Sequence, residues 1–272
     1  MTAASHDGAA RPGPRLGTGR EAEVYEWGDT AVLKLYRPGF GGHRAEAAAL
    51  RTLDGIAPRL LDVVDHDGRT GLVLERFDGP NILTLLQRQP WRVLALAGEL
   101  ATTHLAVHRI QAPADLPQLR QALADRIHDA GLPPHLRSFA MRMLDGLPDG
   151  DRLCHGDYHP GNVLLTADRT AVIDWTAAAR GAPEADHART LLLLRWANPL
   201  PGTPLLSRAL IATGRCLLAR RYTRRYRQGA PPVRQVDSWL VVHAAARLSE
   251  GIQDEQSMLT GMLDRAQRVT TR

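Results

Sequence analysis

The chain has 272 residues, 44% hydrophobic and 23% charged, a composition that excludes a disordered chain and leaves room for one large or two small domains. No apolar run approaches the roughly 20 residues of a membrane-spanning helix, residues 1–11 lack the apolar core of a secretory signal, and two cysteines, Cys154 and Cys216, make neither a disulfide framework nor a metal cluster, so a cytoplasmic protein without membrane contact is expected. The net charge of +5 is uneven: residues 176–272 carry 15 Arg against 7 acidic residues, which fits an anionic ligand, a nucleic acid or a solvated surface.

Residues 1–13 are small, polar and without apolar periodicity, and are expected to form a mobile tail. A first lobe is read over residues 14–79. Val24–Trp27 and Ala31–Tyr36 are β-prone runs joined by Gly28-Asp29-Thr30, and an Ala-rich helix is expected from His43 to Leu53. Two more strands, Leu60–Asp65 and Leu72–Phe77, flank Asp67-Gly68-Arg69. A second lobe, residues 80–272, is mostly helical, with helices expected at Ile82–Arg88, Val93–Ile110, Leu116–Asp129, Leu136–Leu144, Ala185–Trp196, Leu205–Arg225, Val236–Leu248 and Gln253–Val269. A loop and hairpin, Leu153–Trp175, interrupts the helices.

Within the first lobe, Leu16-Gly17-Thr18-Gly19-Arg20-Glu21-Ala22-Glu23-Val24 has the form of a glycine-rich turn that covers ATP phosphates, because glycines let backbone N–H groups approach closely. Ala22 stands where a third glycine is usual. Lys34 is the single lysine beside 33 arginines, placed ten residues after Val24 and twelve before Glu46 on the expected helix. A compact ammonium reaches between two phosphates where a planar guanidinium does not fit equivalently, so Lys34 is read as the phosphate-binding residue and Glu46 as its partner.

Within the second lobe, His155-Gly156-Asp157-Tyr158-His159-Pro160-Gly161-Asn162 is followed by a hairpin and Ile173-Asp174-Trp175. Phosphoryl transfer needs a carboxylate that orients the acceptor and oxygen ligands for Mg2+, and Asp157, Asn162 and Asp174 supply that set. A rival reading takes His155, Asp157 and His159 as alternating metal ligands, but no further His or Cys cluster completes such a site. Arg220-Arg221-Tyr222-Thr223-Arg224-Arg225-Tyr226-Arg227 reads as a solvated helix with inward tyrosines, as a wall of an acceptor pocket, or as a nucleic-acid surface.

From about Leu16 to Leu194 the chain resembles the aminoglycoside phosphotransferase family, small-molecule kinases of the protein-kinase-like fold. The resemblance implies an α+β bilobal architecture, with a small antiparallel β N-lobe carrying one helix and a larger helical C-lobe. It implies Asp157 as catalytic base, Asn162 and Asp174 as Mg2+ ligands, His155 as a brace of the loop, and Asp186 as the acidic anchor of the loop backbone. Leu72-Val73-Leu74-Glu75-Arg76-Phe77-Asp78-Gly79 is similar to the family's interlobe hinge, where the Glu75 carbonyl and Phe77 amide would meet adenine. The helix ending His104-Leu105-Ala106-Val107-His108 resembles the first long helix of the large lobe, its histidines read as packing and polar-surface residues.

The function expected is therefore transfer of the γ-phosphoryl group of ATP, with Mg2+, to a hydroxyl of a small molecule, by a monomer or weak dimer that binds no nucleic acid. A protein kinase is disfavoured because His-Arg-Asp and Asp-Phe-Gly are missing. A non-catalytic kinase-fold regulator or nucleic-acid-binding protein, and a choline-, homoserine- or thiamine-type metabolite kinase, are the alternatives. The basic C-terminal third predicts that cationic aminoglycosides are poor acceptors and neutral or anionic hydroxyl compounds better ones, unless Asp237, Glu250, Asp254 and Glu255 form a local acidic site.

Overall fold

A computed structural model describes residues 11–196, 205–230 and 235–270. Most of the expected tail, residues 1–10, lies outside the described residues, and Gly13 already donates its N–H to the Glu26 carbonyl at 2.9 Å. The first lobe is a five-stranded antiparallel sheet of β1 (Arg15–Thr18), β2 (Ala22–Trp27), β3 (Ala31–Tyr36), β4 (Leu60–His66) and β5 (Arg69–Glu75), in the order β1-β2-β3-β5-β4. Strand alternation divides its two faces. Ala31, Leu33 and Leu35 of β3 pack with Val73 of β5 in a small outer cluster, while Tyr36, Leu72 and Leu74 face α1 (His43–Leu50) and the main core. Val32 and Lys34 fall on this inner side and line the cleft between the lobes. Helix α1 ends three residues earlier than expected, because Thr52 donates both its N–H and its hydroxyl to the Ala49 carbonyl and closes the turn.

Residues 76–81 lead into the helical lobe, where the Asn81 side chain caps α2 (Ile82–Arg88) by accepting the Thr84 N–H at 2.8 Å. Gly79 is required by contact: a Cβ there would come within 2.5 Å of the Leu165 carbonyl oxygen. The lobe continues through α3 (Val93–Val107), α4 (Leu119–Asp129), α5 (Pro134–Asp145), β6 (Arg152–Cys154), β7 (Val163–Leu165), β8 (Thr170–Val172), β9 (Ala179–Gly181), α6 (Pro183–Trp196), α7 (Leu205–Gly229), α8 (Val236–Arg247) and α9 (Gln253–Thr270). The hairpin β7–β8 joins the segment 155–162 to Asp174, and β6 pairs with β9. No helix of the described residues is long and apolar enough to cross a membrane.

Helices α3 and α7 meet along a polar seam. His104 Nδ1 accepts from the Tyr222 hydroxyl at 2.7 Å and His108 Nδ1 from the Tyr226 hydroxyl, so residues four apart on one helix match residues four apart on the other and the two helices run parallel. Tyr222 and Tyr226 are fully buried, and Arg220, Arg224, Arg225 and Arg227 are exposed. The reading of this run as a solvated helix with inward tyrosines therefore holds, whereas His104 and His108, expected partly at the polar surface, are core residues. Spacing alone did not reveal that their partners lie 118 residues on.

Burial pushes the pKa values of His104 and His243 down to about 3, with neighbouring His108 and Arg189 respectively acting in the same direction. Both rings are neutral in the folded chain and titrate near 6.5 once unfolded. Between pH 6.5 and 3 the unfolded chain binds more protons, so stability falls as pH falls. The expected loss is about 1.4 kcal/mol per pH unit for each ring. Urea unfolding between pH 6.5 and 5, above the carboxylate range, measures it, and a flat free energy over that interval contradicts the assignment.

Candidate active site

Asp186, on α6, is fully buried and accepts four hydrogen bonds. His155 N–H and Gly156 N–H donate to its two oxygens at 2.7 and 2.9 Å, and His104 Nε2 and His108 Nε2 donate to Oδ2 at 3.0 and 3.1 Å. Burial alone would raise its pKa, but the hydrogen bonds and the two imidazoles hold it well below the usual carboxylate value. His155 completes the fixation: its Nδ1 accepts the Asp157 N–H at 3.2 Å, its Nε2 donates to the Ile173 carbonyl at 3.0 Å, and its ring packs on Trp175. Gly156 sits at φ +79°, and a Cβ there would come within 2.3 Å of the Ala177 carbonyl oxygen.

This anchored loop aims Asp157 into the cleft, its side chain 38% exposed. Asn162, which lines the same cleft, donates its side-chain amide to the Asp157 carbonyl at 3.1 Å. The β7–β8 hairpin returns Asp174 to the same cleft, with φ +66°, a left-handed conformation that Asp tolerates. Lys34 Nζ donates to Asp174 Oδ1 at 2.9 Å and to Glu46 Oε2 at 2.6 Å. Glu46 also receives the Tyr36 hydroxyl and the Trp175 N–H, at 3.3 Å for the latter. Burial opposes both charges of the Lys34–Asp174 pair, yet their partners outweigh it: Lys34 titrates above its ordinary value and Asp174 below it.

Above them, the turn between β1 and β2 closes with Gly19 N–H on the Ala22 carbonyl at 2.8 Å. A Cβ at Gly17 would meet nothing within 4 Å, so the protein's own packing does not demand glycine there. Thr18 lines the cleft, and its hydroxyl accepts from Arg37 at 2.9 Å. Glu75 and Phe77 line the cleft at the hinge, and the Glu75 carboxylate is bound by Arg169 of the β7–β8 turn at 2.8 Å. The cleft as a whole measures about 1850 Å³.

The oxygens of Asp174 and Asn162 are a hard donor pair that suits Mg2+ or another oxygen-loving divalent cation. The alternating His155, Asp157 and His159 set is not arranged for a transition metal. Both nitrogens of His155 are taken by the backbone, and His159 Nδ1 accepts the Gly161 N–H at 3.0 Å. Among the described residues, the one close grouping of three metal-ligating side chains is His104, His108 and Asp186, whose ligand atoms are already hydrogen-bonded to one another and to the tyrosines.

Four residues of the site were not foreseen. Glu21 enters from the glycine-rich turn, and burial, with Asp174 nearby, raises its pKa. Arg189 of α6 donates to Asp157 Oδ1 at 3.0 Å and to Glu250 Oε1 at 2.8 Å. Arg126 and Arg247 line the same wall. A signal for Arg189 existed in its place three residues after Asp186, on one helix face; Arg126 has none in its local sequence. Arg220–Arg227 do not line the cleft, and of the four carboxylates named as a possible acidic site only Glu250 does.

The profile of the phosphotransferase enzyme family matches residues 13–232. Over 151 residues the chain is 34% identical to a hydroxyurea phosphotransferase of Kitasatospora aureofaciens, a match that covers 50% of this chain and 42% of that protein. The fold is similar to that of an amicoumacin kinase solved with AMP-PNP, Ca2+ and Ami, with TM-score 0.62, 16% identity, and coverage of 91% of this chain and 86% of that one. A choline kinase from Cryptosporidium parvum gives TM-score 0.60 at 14% identity, covering 95% and 89% of the two chains.

The contact at Gly156 yields a direct expectation. Gly156→Ala imposes a left-handed φ on a residue with a Cβ and drives that Cβ into the Ala177 carbonyl, a cost of about 2 kcal/mol or more. For a chain of this size the melting temperature should fall by about 4 °C or more. An unchanged melting temperature by calorimetry would show that the loop is not held against Ala177.

Proposed function

The chain belongs to the phosphotransferase enzyme family, and we propose that it transfers the γ-phosphoryl group of ATP to a hydroxyl of a small molecule, with Asp157 as the catalytic carboxylate. The observation that carries this reading is the convergence of Lys34, Asp157, Asn162 and Asp174 on one cleft beneath a glycine-rich turn. A cleft of about 1850 Å³ has room for a nucleotide and a second small molecule side by side.

In this reading adenine meets the backbone of Glu75 and Phe77, and the N–H groups of the Gly17–Gly19 turn lie over the phosphates. Lys34, held by Glu46, contacts two phosphate groups. Asp174 and Asn162 would hold Mg2+, which supplies charge neutralisation on the phosphate oxygens when bound. The acceptor hydroxyl lies against the Asp157 carboxylate. Its oxygen forms a bond to the γ-phosphorus as the bond from that phosphorus to the β–γ bridging oxygen breaks; its proton passes to Asp157, and ADP leaves. Arg189 fixes Asp157 Oδ1, and Oδ2, 3.7 Å from His159 Nε2, is the oxygen that meets the acceptor. Because the transition state is loose, position and charge do most of the work, and the network behind the loop supplies the position. The substrates in the relatives' names differ from one another, so they give this chain a reaction type and no acceptor.

Two substitutions test the roles. Asp157→Asn keeps an oxygen for Arg189 but removes the base, so turnover should fall about 10² to 10⁴-fold while MgATP affinity stays as in the wild type. Turnover within about threefold of wild type, by ADP release across a panel of hydroxyl compounds, sinks the assignment. Asp174→Ala should abolish the Mg2+ dependence of ATP binding in calorimetry, and unchanged MgATP affinity would move the metal site elsewhere.

A further inference from the structure

The wall of the cleft beside Asp157 is built by the C-terminal helices, and its charge is unusual for a site that would take a cation. Arg126 of α4, Arg189 of α6, Arg215 of α7 and Arg247 of α8 all line it. The carboxylates there are already engaged. Arg189 Nη2 binds Asp157 Oδ1 and Glu250 Oε1 at 3.0 and 2.8 Å, Arg247 Nη1 binds Glu250 Oε2 at 2.9 Å, and Arg247 Nη2 binds Glu255 Oε1 at 3.0 Å. Arg215 donates to the Leu193 and Leu194 carbonyls at 3.1 and 3.0 Å. Glu250 is thus spent on two arginines, and Glu255 is buried behind Arg247.

Arg126 differs from the other three. It is half-buried in the cleft wall and, among the described residues, makes no hydrogen bond or ion pair. Arg189, Glu250, Asp157 and Glu21 are the charged groups within its electrostatic reach; burial and then the Arg189 charge lower its pKa, though a guanidinium stays protonated in any protein. A partly desolvated guanidinium that no carboxylate faces is short of counter-charge, and an oxyanion is the group that its planar fork is shaped to receive. Arg189, 5% exposed, has its Nη2 committed to Asp157 and Glu250, so Arg126 is the guanidinium of this wall that no carboxylate holds.

We propose that the acceptor of this enzyme carries an oxyanion, a carboxylate or a phosphate, and that Arg126 receives it and so sets its hydroxyl against Asp157. The inference rests on the phosphotransfer reading above and narrows its acceptor class. An amino alcohol or a polycationic sugar, by contrast, would meet Asp157, Glu250 and Glu255 already bound to Arg189 and Arg247.

The test uses the full chain saturated with MgAMP-PNP, at constant ionic strength, with sulfate as the oxyanion probe. Wild type should bind sulfate saturably by calorimetry, Arg126→Gln should weaken it about tenfold or more, and Arg126→Lys should keep part of the affinity. AMP-PNP affinity should be the same in all three. A ring-matched series extends the test: glucuronate and glucose 6-phosphate, which separate carboxylate from phosphate, should bind better than glucose, and glucosamine worst. No saturable sulfate binding, equal sulfate affinity in Arg126→Gln, or tighter binding of glucosamine than of glucuronate each overturns the inference. A loss of AMP-PNP affinity in Arg126→Gln overturns it too, because Arg126 would then serve the donor. These outcomes are read without turnover. Asp157-dependent transfer to a neutral or cationic acceptor would reject the oxyanion and keep the kinase, whereas failure to bind MgAMP-PNP would reject the kinase itself.

Discussion

Much of the C-terminal lobe is organised around one buried carboxylate. Taking an ionised Asp out of water costs several kcal/mol after relaxation, and Asp186 meets that cost with four donors, each hydrogen bond to a charged group contributing about 1.5–3 kcal/mol. Those donors come from two places that must then coincide. Two are imidazoles one turn apart on α3, and two are consecutive backbone N–H groups of the loop that carries Asp157. The imidazoles are oriented in turn by tyrosines one turn apart on α7. If Tyr222 donates to His104, its oxygen is left to accept from His187 Nδ1, which leaves His187 Nε2 without a hydrogen, in agreement with its lack of a partner. The proton positions of the seam therefore follow from one assignment.

A second junction ties the lobes together through Glu46. One of its oxygens receives Lys34 and Tyr36 from β3, and the other receives the backbone of Trp175, next to Asp174. Lys34 closes the circuit by binding Asp174 itself. The sheet, α1 and the end of the hairpin are thus fixed relative to one another across the cleft. At the hinge, Arg169 from the hairpin turn holds Glu75 and lies 5.4 Å over the Phe77 ring. A phosphate entering beside Lys34 would meet an ammonium already oriented, and it would exchange partners with Asp174 without having to order a free side chain.

These two junctions also separate what could be read in the sequence from what could not. Asp157, Asn162 and Asp174 lie within eighteen residues joined by a short hairpin, so local spacing was enough to bring them together. Lys34 and Glu46 were legible for a different reason: the one lysine in an arginine-only chain stands out, and the strand-to-helix distance is short. The strand β1 was hidden because Arg15-Leu16-Gly17-Thr18 has the composition of a turn, and only its pairing with β2 makes it a strand. The polar seam was hidden by distance. His104 and His108 read as ordinary helix residues until the fold places them against Asp186, 82 and 78 residues away.

Charge shows the same limit most sharply. The basic excess of the C-terminal third suggested an anionic partner, and the densest run, Arg220–Arg227, was the natural place to locate it. That run is solvated and turned away from the cleft, where salt screens each charge within about 10 Å. The arginines on the cleft wall beside Asp157 are scattered singly over four helices, and Arg126 lies outside the basic third altogether. A few partly desolvated charges act through a lower dielectric than many solvated ones, so they dominate the field at Asp157. Net charge and local clustering both count the wrong residues. What decides the character of the site is which guanidiniums the helix packing removes from water, and which of those the protein leaves without a carboxylate.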